Sequence, residues 1–64
     1  MEGPQMLGSD LLDKKLMTHY FGPALVKAVL LDRETKERVV LLKPLDAASF
    51  FVSLPYARQL PVVA

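Results

Sequence analysis

His19 is the one imidazole in this chain, so any proton transfer that relies on histidine near neutral pH must run through it. It falls at the end of a predicted helix, where the partial negative dipole favours the protonated ring, and a structural place beside Tyr20 is the better account of it. Asp10 and Asp13 share one face of that helix and form a carboxylate pair suited to a cation or to acid–base work. The positive end of a helix dipole explains both acids without a ligand. Ser9, Ser49 and Ser53 sit in capping or periodic positions with no nucleophile-elbow context. Gly3 and Gly8 belong to no phosphate-binding motif. With no cysteine and a single histidine, the chain lacks the ligand set of a structural zinc site. The sequence predicts no catalytic residue, no metal site and no cofactor.

The run from Asp32 to Arg38 holds three acids and three bases in seven residues. A solvated turn accounts for it. The alternative is a β-ribbon or helix that binds nucleic acid through Lys14, Lys15, Arg33, Lys36 and Arg38, as a small regulatory homodimer would. Three interspersed acids and a formal net charge of only +1 speak against it. The aromatic set, Tyr20, Phe21, Phe50, Phe51 and Tyr56, reads as core, or as an adhesive patch for protein recognition where it is exposed.

The elements that must position these residues are few. Residues 1–8, with two glycines and a proline, read as a flexible leader, and 9–64 as one small domain. Ser9 and Asp10 are N-cap types, and Leu12, Leu16 and Tyr20 recur at helical spacing. A first helix is therefore expected from about Asp10 to His19, stopped by Gly22 and Pro23. Leu25 to Leu31 and Val39 to Leu42 read as the strands of a hairpin. Asp32 accepts local hydrogen bonds in its loop, Thr35 helps close it, and Lys36 takes a left-handed position. Unbroken alternation puts Val26, Ala28, Leu30, Val39 and Leu41 on one face, and Leu25, Val29, Leu31, Val40 and Leu42 on the other. The first face, free of charge, is expected to be the more deeply buried.

After Pro44, Ala47, Phe50, Phe51 and Leu54 fit a short second helix, with a third strand over Phe50 to Leu54 as the competing reading. Pro55 ends either one, Tyr56 to Leu60 allow a further helical turn, and Pro61 to Ala64 can add an edge strand. The fold class expected is α+β: an N-terminal helix, an antiparallel hairpin and a second helix or third strand.

A domain this small has a marginal core, and without disulfides or a metal the remaining support is oligomerisation. Both faces of the hairpin are apolar, and 52% of the residues are hydrophobic, more than so short a chain can hide. The expected function is a non-enzymatic protein-interaction or assembly module acting as a homo-oligomer, its interface drawn from Val26, Ala28, Leu30, Val39, Leu41, Phe50 and Phe51. The longest uncharged stretches, Leu16 to Val26 and Ala47 to Ala57, run 11 residues each, about half a bilayer span, and a cytoplasmic protein without membrane contact is expected.

Overall fold

The charged loop after Leu31 folds as its residue types require. Asp32 Oδ1 accepts from the backbone N–H of Glu34 at 2.9 Å, Thr35 Oγ1 accepts from Glu37 N–H, and Lys36 takes a φ of 64°. The Asp32 N–H donates to the Glu37 carbonyl at 2.7 Å, closing the hairpin. In the computed structural model, which describes residues 8–63, this hairpin is the centre of a sheet and not one layer of an α+β domain. A 3-10 turn at Ser9–Leu11 precedes β1 (Lys15–Thr18), β2 (Gly22–Leu31), β3 (Arg38–Pro44) and β4 (Phe50–Ser53). A short helix α1 (Leu54–Arg58) and β5 (Val62–Val63) follow. The strands form one antiparallel sheet in the order β4-β3-β2-β1-β5.

The expected helix from Asp10 to His19 is absent, and the α+β class is corrected to a small β-rich domain. The helical ladder stops at Asp13, whose φ is 67°, and Lys15–Thr18 instead alternate, with Leu16 and Thr18 buried and Lys15 and Met17 exposed. As a strand this segment satisfies the edge of β2, with Leu16 opposite Ala24, while Leu12 and Tyr20 point into solvent. Gly22 and Pro23 start β2 rather than stop a helix. The Met17 N–H turns the other way, to the Pro61 carbonyl at 2.9 Å, so the Met17–Pro23 pair asks no donor of the proline. The Thr18 hydroxyl closes the intervening turn, donating to Gly22 O at 2.8 Å and accepting from Phe21 N–H at 3.0 Å.

The preferred second helix over residues 47–54 is likewise overturned, because Phe50–Ser53 pair with β3 as β4, the competing strand reading. Pro55 opens a helix where an end was expected: it occupies the first turn of α1, whose N-cap Ser53 accepts from the Tyr56 N–H at 3.3 Å. The apolar tail does add an edge strand, β5, beside β1.

Hairpin pairing runs as expected from Leu31–Arg38 to Ala28–Leu41 and then shifts. Lys27 is a bulge, and Val26, not Lys27, faces Leu42. That extra residue moves Val26 to the opposite face from Ala28 and Leu30. The expected burial is therefore inverted, since Val40 and Leu42 are fully enclosed while Leu30 stays 47% exposed. The core comprises Leu11, Leu16, Ala24, Val26, Val40, Leu42, Leu54, Ala57 and Leu60, capped by α1 and the 3-10 turn. Gly8, the last residue of the expected leader, is buried with a φ of 90°, and a Cβ there would lie 3.0 Å from both Leu54 and Val29 side chains. The rest of that leader, residues 1–7, lies outside the described residues. Phe21 of the β1–β2 turn and Phe50 of β4, a strand not adjacent to either β1 or β2, bring their ring centroids to 5.2 Å, so this turn and the β4 edge curl toward each other across the inner face.

Candidate functional site: the outer sheet face

Alternation that buries one side of the sheet presents the other. On the outer side Ala28, Leu41 and Phe51 lie in one cross-strand row, and Leu30 and Val39 in the next. Leu30 is 47% and Phe51 55% exposed, the two large apolar groups of this patch. Leu31, Asp32 and the patch residues Leu30, Val39 and Phe51 line a shallow depression of about 310 Å³ toward the hairpin end. Five of the seven residues expected at an interface are thus brought together. Val26 is enclosed in the core, and Phe50 turns inward against Phe21.

Across the bulge the outer face changes character. Lys15, Leu25 and Lys43 form a row through β1, β2 and β3, with Val63 of β5 beside Lys15. They border a second groove of about 310 Å³, completed by Pro23, Pro44 and Leu45. From the sequence Lys15 is expected only at a nucleic-acid surface and Leu25 only on an apolar hairpin face, and Lys43 belongs to neither set. The available signal was the placement of two lysines one on each side of Leu25, which emerges only once β1 is paired as a strand.

The remaining candidates do not converge. Arg33 and Lys36 stand at the hairpin end among Asp32, Glu34 and Glu37, Arg38 lies half-buried on the inner side opposite Leu31, and Lys14 precedes β1. No basic track joins them to Lys15. His19 is exposed in the β1–β2 turn. Asp10 is held by Arg58, whose guanidinium donates to both carboxylate oxygens at 3.0 and 3.1 Å, and this contact lowers the Asp10 pKa and raises that of Arg58. The Asp10–Asp13 pair is therefore not a shared carboxylate site. Among the described residues no group of three or more His, Cys, Asp or Glu side chains is placed to hold a metal ion, and no helix is long and apolar enough to cross a membrane.

Fold and surface together define a small curled β-sheet with one covered face and one open apolar face. Comparison of the chain with protein families, curated proteins and solved structures found no match in any of the three.

Proposed function

We propose that this chain is a non-enzymatic protein-interaction and assembly module that acts, in the cytoplasm, as a homodimer formed by packing the outer sheet faces of two copies. The observation that carries the proposal is the contiguous set Ala28, Leu30, Val39, Leu41 and Phe51, interrupted only by Ser53 beside Val39, with Leu30 and Phe51 exposed and the other three half-buried. Aromatic and aliphatic groups grouped this way supply most of the energy in protein contacts. A two-fold contact is self-complementary, so one patch serves both copies. The engagement of Asp10 by Arg58 and the exposed, isolated position of His19 support binding over catalysis.

The test is Phe51→Glu, which places a carboxylate at the patch centre. The variant should sediment as a monomer at concentrations where the parent is a dimer, with an unchanged far-ultraviolet dichroism spectrum. An association constant within twofold of the parent's would overturn the assignment of this face.

A further inference from the structure

Beyond the bulge, the groove over Leu25 combines two features that the apolar patch lacks: a pair of cations and a fixed geometry. Lys15 and Lys43 occupy the same cross-strand row on either side of Leu25, so their Cα atoms stand about 10 Å apart with an apolar floor between them. The Lys43 ammonium is pinned on the rim, donating to the Pro44 carbonyl at 2.9 Å and the Ala47 carbonyl at 2.8 Å. An ammonium has three N–H donors, and one is left. Among the described residues neither lysine is paired with a carboxylate. Pro23, Leu45 and Val63 wall the floor, and the volume of about 310 Å³ sits at the small-molecule end of ligand sites. Leu45, 81% exposed, is an apolar wall left open among the described residues.

We propose that this groove binds a small amphiphile carrying one carboxylate, its apolar body laid over Leu25 and its head between the Lys15 and Lys43 ammoniums. Charge selects the head, since two cations with no carboxylate partner among the described residues favour an anion and reject an amine. The Lys15–Leu25–Lys43 row is the neighbour of the Ala28–Leu41–Phe51 row on the same face, offset on β2 by the Lys27 bulge.

Octanoate, octanol and octylammonium, matched in chain length, are the probes, read by methyl and amide chemical shifts of the full chain. Octanoate should give saturable shifts centred on Leu25, Leu45 and Val63, with octanol at least about threefold weaker and octylammonium not saturating. Lys15→Gln and Lys43→Gln should each weaken octanoate about threefold, while Lys43→Arg, which keeps the charge, should retain it. Equal binding of octanol or octylammonium, shifts spread evenly to Leu30 and Val39, or no saturation by about 10 mM octanoate would overturn the proposal. The same titration on Phe51→Glu should return the same affinity, so that loss of the dimer and loss of the groove are read separately.

Discussion

At the scale of single residues, short-range chemistry decides. Asp32 and Thr35 behave as their types require because each side chain bonds backbone two or three positions on, and Lys36 follows them into the left-handed position the turn needs, at the mild cost a non-glycine residue bears there. Lys27 shows the opposite case. Its charge interrupts an apolar run, but whether that marks a snorkelling side chain or an inserted residue depends on β3, and the bulge reversed every face assignment on its N-terminal side. Asp10 likewise has a partner 48 positions away that no local pattern reveals. The Arg58 hydrogen bond holds the Asp10 carboxyl below its ordinary value of 3.8. A carboxyl lowered in the folded state contributes stability above its unfolded pKa and loses it as pH falls through the folded value. Asp10→Asn should therefore flatten the acid limb of thermal stability as the pH falls below the ordinary carboxyl value of 3.8, by a small amount because both groups are exposed. Melting temperatures across that range check it, and an acid slope identical to the parent's would contradict the pairing.

At the scale of elements, the errors share a cause. Leu12, Leu16 and Tyr20 recur every four residues, and Ala47, Phe50, Phe51 and Leu54 at helical spacing, yet β1 and β4 form there because the central hairpin offers two unpaired edges. Tertiary demand for hydrogen-bond partners outweighed a periodicity carried by few residues. Of the expected edge strand in the apolar tail, Val62–Val63 form β5, and a helical turn forms near Tyr56, since proline and β-branched residues leave few alternatives there. Helix α1 spans only five residues, too short to persist without its cap and its packing, so Ser53 matters out of proportion to its size. Ser53→Ala should cost about 1 kcal/mol. The loss should appear in urea denaturation at unchanged slope, with Tyr56 amide exchange accelerated; a midpoint equal to the parent's would show that the cap contributes nothing.

At the scale of the whole molecule, the hydrophobic excess legible in composition reappears as geometry. One sheet face is enclosed by curling, by α1 and by the 3-10 turn, and the other carries Leu30, Phe51 and their neighbours into solvent. Two apolar hairpin faces could be read from residue types alone. Which one lay inward could not, because a single added residue determines it. The two depressions on the outer face divide the labour: the end with Leu30 and Phe51 is proposed to meet a second copy, the end with Lys15 and Lys43 an anionic amphiphile. The short edges, four residues in β4 and two in β5, limit sheet extension from either side and leave the broad face as the larger surface for contact.

The most direct measurement is sedimentation equilibrium of the unaltered chain over a wide span of concentration. The account predicts a reversible shift from a 7.1 kDa species to one of twice that mass. A single 7.1 kDa species persisting to about millimolar concentration would contradict it.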